Sequence, residues 1–178
     1  WKFLIENFIE PYHVQFVHKT TTNQPLKDHY TFVDGKCYGS GIDVEKEDAK
    51  NGSALSVTSR YLSLFPNFII GTYFPNQVGV YLNIPISPGV TSQKRIIYTT
   101  DSKEMTKKEI QTTKDIWCSV HKEDHEICER LQEGRSSPAS HSGGLLSPIW
   151  EKGVQAFQKL IINSINKSFK IKRRVKNV

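Results

Sequence analysis

Methionine is almost missing from this chain of 178 residues, with Met105 alone, and cysteine is sparse, with Cys37, Cys118 and Cys128. An odd count without C-x2-C spacing excludes a disulfide framework and a zinc ribbon, and it fits a reducing compartment. Long hydrophobic runs are missing too. The longest apolar stretch, Leu64 to Phe74, is broken by Pro66, Asn67 and Gly71, far short of the roughly 20 apolar residues a membrane helix needs. No secretory-leader pattern opens the sequence, so a cytoplasmic protein with no membrane contact is expected. No glycine-rich phosphate loop is present, because Gly39-Ser40-Gly41 lacks the third glycine and the lysine. No G-x-S-x-G elbow occurs either. These absences exclude P-loop nucleotide hydrolysis and elbow-serine hydrolysis.

What is present suffices for a folded domain. Hydrophobic residues make up 37% of the chain, aromatics 11% and charged residues 24%, which is ordinary for a soluble globular domain of about this length. Formal net charge is +6, but the excess is local. Lys167, Lys170, Lys172, Arg173, Arg174 and Lys176 crowd the C-terminus; with these six set aside, basic and acidic residues balance at 18 each. The chain therefore divides into a neutral domain, residues 1–169, and a basic tail, residues 170–178, expected to be a solvated end. The tail carries no aromatic residue, so a nucleic-acid surface is not expected. A tail that docks on an acidic partner is the alternative reading of the same charges.

Periodicity gives an α+β layout. Trp1, Leu4, Ile5, Phe8 and Ile9 recur at helical spacing and predict a short helix ending before Pro11. From about residue 29 to 100, segments rich in Tyr, Phe, Val, Ile and Thr alternate with Asp34-Gly35, Asn51-Gly52, Pro66-Asn67, Pro75-Asn76 and Pro88-Gly89. That texture predicts antiparallel strands joined by short turns, clearest at 77–86 and 94–100. Residues 103–132 read as helix in two pieces, with Gly134 as the stop. After a loop, Ser147-Pro148 offers an N-cap and a first-turn proline. Trp150, Val154, Phe157, Ile161 and Ile165 then share one face of a long final helix. The expected architecture is an antiparallel sheet wrapped around that C-terminal helix, a helix-grip arrangement similar to START domains.

Two histidines carry the chemistry. His13 and His18 lie five apart, which on a continuous helix separates them by about 140°, so sharing a metal requires the helix to end or bulge; Pro11 sits where a break would help. Two imidazoles with one carboxylate and open positions form the facial triad of non-haem Fe(II) oxygenases. A second pair, His121 and His125, shares a helix face, but Lys122 and Asp124 break both zinc-peptidase patterns, and surface histidines are expected there.

The string Trp1-Lys2-x3-Glu6-Asn7-x2-Glu10-x-Tyr12-His13-x4-His18 resembles the catalytic-domain segment of Rieske-type ring-hydroxylating oxygenase alpha subunits. The resemblance implies that His13 and His18 bind mononuclear iron. It also implies that Glu10, where the family often has Asp, bridges to a Rieske cluster of the neighbouring subunit. A carboxylate far along the chain completes the set, from Asp115, Glu123, Asp124 and Glu126. The stretch from Lys122 to Gly134 is similar to the family's E-D-x4-E-x2-Q-x-G segment, which assigns Asp124. Asn7 and Phe8 from the first helix, with Val120 and Trp117 one and two turns before Asp124, are the expected surroundings, as pocket wall or plain core. The Leu64–Phe68 block and the following strand also resemble the family's sheet.

The family's Rieske [2Fe–2S] cluster needs C-x-H and C-x2-H pairs. Only Cys118-x2-His121 exists here, so the cluster belongs to an N-terminal domain expected upstream of Trp1. The implied activity is hydroxylation or oxidative demethylation of a small, aromatic or apolar organic substrate with O2. Electrons would arrive from a reductase or ferredoxin through that cluster, in a homotrimer. A non-catalytic helix-grip module that binds a ligand in an apolar cavity is the other reading, and iron content separates the two.

Overall fold

The computed structural model describes residues 1–22, 24–44, 58–100 and 104–175, and of 170–175 the backbone only. The turn predicted at Asn51-Gly52, the first residue of the helix predicted from 103, and the side chains of the basic tail lie outside the described residues.

Helix α1 (Lys2–Ile9) and the single turn α2 (Val14–Val17) open the chain. Glu10 is extended, with φ −103° and ψ 137°, as a residue before proline is steered to be, and α1 ends there. Six strands follow: β1 (His29–Asp34), β2 (Cys37–Ile42), β3 (Ser59–Leu64), β4 (Phe68–Tyr73), β5 (Gln77–Ser87) and β6 (Val90–Thr99). They form one antiparallel sheet in chain order. The tight links fall at the foreseen turn residues, with Gly35 and Gly89 at positive φ of 58° and 88°, conformations that cost glycine little. Strand β6 begins four residues before the predicted start. Pro85 lies beyond Leu82, the last β5 residue paired with β4 (to Phe68), so its missing N–H costs no hydrogen bond to β4.

Register sets three rows of side chains on the covered face, because residues paired across antiparallel strands share a face. One row is Tyr38, Ser63, Ile69, Tyr81 and Arg95; the next is Ser40, Tyr61, Gly71, Gly79 and Ile97. The third runs His29, Ile42, Ser59, Tyr73, Gln77 and Thr99.

Two long helices, α3 (Lys107–Ser136) and α4 (Lys152–Val175), share the cover of that face. Helix α4 lies on β1 and β2 and against α1, burying Val154 and Phe157 with Ile5, Ile9 and Tyr38. Helix α3 covers the other half, where Trp117 and Val120 pack with Tyr73 and Tyr61. The sheet is thus covered by the expected C-terminal helix together with α3. The apolar stripe of α4 outlasts its support, and Ile165 and Phe169 are 48% and 63% exposed.

Helix α3 is one piece rather than two. Thr106 and Glu109 form a reciprocal capping box at its start. The helix passes through Gly134 and stops at Ser136, because Ser137, which precedes Pro138, is extended. Ser147 caps a turn rather than α4 itself: its Oγ accepts from the backbone N–H groups of Ile149 and Trp150, and the helix begins at Lys152. No helix among the described residues is long and apolar enough to cross a membrane.

Candidate functional site

The site grows from the break between α1 and α2. Glu10, freed from the helix, folds its carboxylate back over the turn. One oxygen accepts from the backbone N–H groups of Tyr12 and His13, and the other lies 2.6 Å from His13 Nδ1. His13 and His18 flank α2 as its two caps, and the chain leaves helical geometry at His18, with φ −94° and ψ 38°. The two imidazoles come to a centroid distance of 5.2 Å. The spacing problem posed by five residues is met by this interrupted helix.

Asp124 comes from α3, the far side of the cavity. Its Oδ1 lies 3.1 Å from His18 Nε2 and 3.6 Å from His13 Nε2, and it accepts a hydrogen bond from Asn7 Nδ2 at 2.8 Å. Glu123, the neighbouring residue, holds the other side of His18, with Oε2 at 2.7 Å from Nδ1, and receives the Thr21 hydroxyl at 2.7 Å. In both histidines, therefore, Nδ1 faces a carboxylate. With a metal bound, a proton held on Nδ1 by these carboxylates would leave each Nε2 lone pair free for the common centre; without one, His18 Nε2 hydrogen-bonds Asp124. His13, His18 and Asp124 each present one ligand atom, all within 4.8 Å of one another. Two neutral imidazoles and a carboxylate suit a divalent transition metal such as iron.

Electrostatics reflect the crowding. Burial pushes Asp124 up, but the His18 hydrogen bond, the nearby His13 and His18 charges and Asn7 outweigh it, and its carboxyl lies below the usual range. Burial pushes His18 down, and Asp124 and Glu123 together bring it above its ordinary value. Of the other carboxylates considered as ligands, Asp115 is exposed and receives Gln111 Nε2 at 2.7 Å, and Glu126 is exposed.

Beside this cluster lies a cavity of about 580 Å³ including its mouth. Asn7, Phe8, Trp117 and Val120 all line it. So do residues the sequence reading missed: Tyr61, Tyr73, Tyr81, Arg95 and His121. Six aromatic side chains form a closed ring of contacts. Phe8 meets Tyr61 at 5.5 Å, Tyr61 meets Tyr73 at 5.9 Å and Tyr73 meets Trp117 at 4.4 Å between centroids. Trp117 meets His121 at 5.6 Å, His121 meets Tyr81 at 5.9 Å, and Tyr81 returns to Phe8 at 5.5 Å. His121 is thus a wall residue and not a surface histidine as expected, because it lies one helical turn from Trp117 on the buried face of α3. His125 does stay at the surface, paired with Glu129 at 3.2 Å.

The polar edges of the ring are tied down. Tyr73 and Tyr81 hydroxyls are 3.1 Å apart, Tyr61 donates to Gln24, and Trp117 Nε1 donates to Gln77 at 3.0 Å. Burial pushes Tyr61 and Tyr81 up to about 12, and Tyr73 also rises. The phenols stay neutral, and the ring offers π faces rather than charge. Cys128, buried nearby, is pushed up to about 12 by burial and is chemically quiet. A signal for the tyrosines was on view in the repeated Gly-x-Tyr of Gly71-Thr72-Tyr73 and Gly79-Val80-Tyr81. A side chain on either glycine would meet the hydroxyl of the tyrosine two residues on, so the glycines let the rings lie along the sheet.

Fold and site together define an α+β domain that sets two histidines and an aspartate beside an aromatic cavity. The family model described as "Ring hydroxylating alpha subunit (catalytic domain)" matches residues 1–166, and the chain belongs to that family. Among curated relatives, the chloroplastic choline monooxygenase of Atriplex hortensis is 29% identical over 159 residues, covering 88% of this chain and 35% of its own length. That of Amaranthus tricolor is 26% identical over 168 residues, covering 93% and 38%. The chain thus spans little more than a third of these relatives. Among solved structures, the quaternary ammonium Rieske monooxygenase CntA with L-carnitine superposes with a TM-score of 0.71 at 19% identity, covering 90% of this chain and 44% of that one. The same enzyme with an inhibitor gives 0.72 at 18% identity, covering 90% and 45%. At that identity the likeness speaks for the fold.

Proposed function

We propose that this chain is the catalytic domain of a Rieske non-haem iron monooxygenase whose substrate is a quaternary ammonium compound. The observation that carries this reading is the closed aromatic ring of Phe8, Tyr61, Tyr73, Trp117, His121 and Tyr81 beside the two-histidine, one-aspartate cluster. A quaternary ammonium has no N–H to donate, so hydrogen-bond acceptors cannot recognise it well. It is held by π faces, as in aromatic cages. A neutral aromatic substrate would also enter such a cavity. The relatives favour the cation, since the curated ones are choline monooxygenases and the similar structure is of a quaternary ammonium enzyme.

His13, His18 and Asp124 would hold the iron, and iron supplies the activation of O2. The protein supplies placement. Glu10 and Glu123 keep each imidazole oriented through Nδ1, and Asn7 orients Asp124. The aromatic ring excludes water from the reacting side and positions the substrate's alkyl groups next to the metal without a direct ligand bond. Glu10, close to the cavity wall and bonded to His13, is the residue proposed to meet the electron donor. That donor would be a [2Fe–2S] cluster carried elsewhere in the whole protein or its assembly.

The test is anaerobic loading with Fe(II), followed by metal analysis and tryptophan fluorescence, since Trp117 stands in the wall. One iron per chain and quenching by choline or γ-butyrobetaine, with weaker response to toluene, is the expected result. Iron bound with a response to toluene alone overturns the substrate class. Absence of stoichiometric iron overturns the oxygenase and leaves the ligand-binding module.

A further inference from the structure

A second, larger groove of about 1790 Å³ including open space runs along the outside of the site, between α1, the tip of the β5–β6 hairpin and α3. Arg95 and His121 line both this groove and the inner cavity. These two residues therefore stand at the throat between solvent and the aromatic ring. Arg95 is the cross-strand partner of Tyr81, and its guanidinium sits over the Tyr81 ring at 5.1 Å.

Among the described residues no carboxylate lies within ion-pair distance of Arg95 and no acceptor takes a hydrogen bond from it, and its Nε is fully enclosed without a partner. A guanidinium carries five N–H donors in a planar fork suited to a carboxylate. Half-burying one with no acceptor is costly. Burial indeed pulls its pKa below the ordinary value, with Asp124 the first of the groups acting against that. A cation at the throat also works against a substrate with net positive charge, which must pass it.

Resting on the quaternary ammonium reading of the cavity, we propose that Arg95 is the anion subsite of the same pocket and that the substrate is a zwitterion. Its trialkylammonium group sits in the aromatic ring and its carboxylate pairs with the Arg95 guanidinium at the throat. Arg95 is then a specificity-determining residue that separates quaternary ammonium acids from quaternary ammonium alcohols. His121, packed on Tyr81 and Trp117, forms the opposite wall of the throat and narrows it without being required for the charge pair.

The test is titration calorimetry on the Fe(II)-loaded chain with γ-butyrobetaine and choline as probes, in the wild type and in Arg95→Gln and Arg95→Lys. A charge-assisted pair of this kind contributes roughly 10–100-fold in affinity. The wild type is expected to bind γ-butyrobetaine at least tenfold more tightly than choline. Arg95→Gln should bring that ratio close to one, and Arg95→Lys should recover part of it. Choline binding in the same variant serves as the check that the cavity is still folded. If the two probes bind the wild type equally, or if Arg95→Gln weakens both by the same factor, the Arg95 assignment is wrong and the quaternary ammonium reading stands. If neither probe binds the wild type, that reading itself fails, and Arg95 with it.

Discussion

His13, His18 and Asp124 each have a partner that aims them, and this makes separate roles measurable at single residues. Glu123 is bonded to His18 Nδ1 at 2.7 Å and is not in the inner triad of facing atoms. Replacing it with Gln keeps the size but weakens the acceptor, so Glu123→Gln should lower Fe(II) affinity by about 10–100-fold while leaving the far-ultraviolet circular dichroism unchanged; a competition titration against a chelator reads it. His29 makes a different kind of statement. It is buried at the start of β1, and among the described residues neither ring nitrogen has a hydrogen-bond partner. Burial, reinforced by the His13 charge, pulls its pKa from 6.5 to about 4. The unfolded chain therefore binds a proton there that the folded chain refuses. Above pH 6.5 this costs nothing; as pH falls from 6.5 towards 4 the fold loses up to about 3 kcal/mol. Proton NMR on the metal-free chain should show the His29 ring titrating near 4, with His18 titrating above 6.5. A His29 titration near 6.5 would contradict the burial argument.

The β4–β5 hairpin is the element that turns a sheet into a cavity floor. Gly71 and Gly79 pair directly across it, and each leaves space for the tyrosine two residues on. Gly79→Ala should push the Tyr81 ring off the sheet, break its contacts with Phe8 and His121, and cost about 1–3 kcal/mol from overpacking. Binding of quaternary ammonium probes should fall at least tenfold while Fe(II) affinity stays within twofold, because no iron-facing residue lies on β4 or β5. Both constants come from the same calorimetric series. Here the sequence reading reached its limit. Alternation and turn residues marked 77–86 as a strand, but which tyrosines face inward together depends on register between strands, and register is set by pairing across the sheet. The pocket wall taken from helices fared better, because helical spacing alone puts Trp117 and Val120 on the face that carries Asp124. The extent of α3 was misread for a local reason: Gly134 is a common stop, yet the proline at 138 decided the end.

Taken as one body, the molecule brings the two ends of its site together by clamping one face of the sheet between partners. Phe157 and Val154 of α4 lock α1 onto β2, and α1 delivers the break that carries His13 and His18. Trp117 fixes α3 on β4 and β5 through Tyr73 and Gln77, and α3 delivers Asp124. The histidine pair was visible as a motif because its members are neighbours in sequence. Its carboxylate could be chosen only by resemblance, since several acidic residues lie along α3 and only the docked helix shows which one faces inward. Arg95 was not legible in the sequence, because it follows Lys94 on a strand whose inward face appears only after pairing with Tyr81. The central claim is that His13, His18 and Asp124 share one iron ion. The most direct measurement is anomalous scattering at the iron edge from a crystal grown with Fe(II). A single strong peak within bonding distance of both Nε2 atoms and an Asp124 carboxylate oxygen is the expected result; iron present in the crystal but located elsewhere, or no peak at these three residues, would contradict the account.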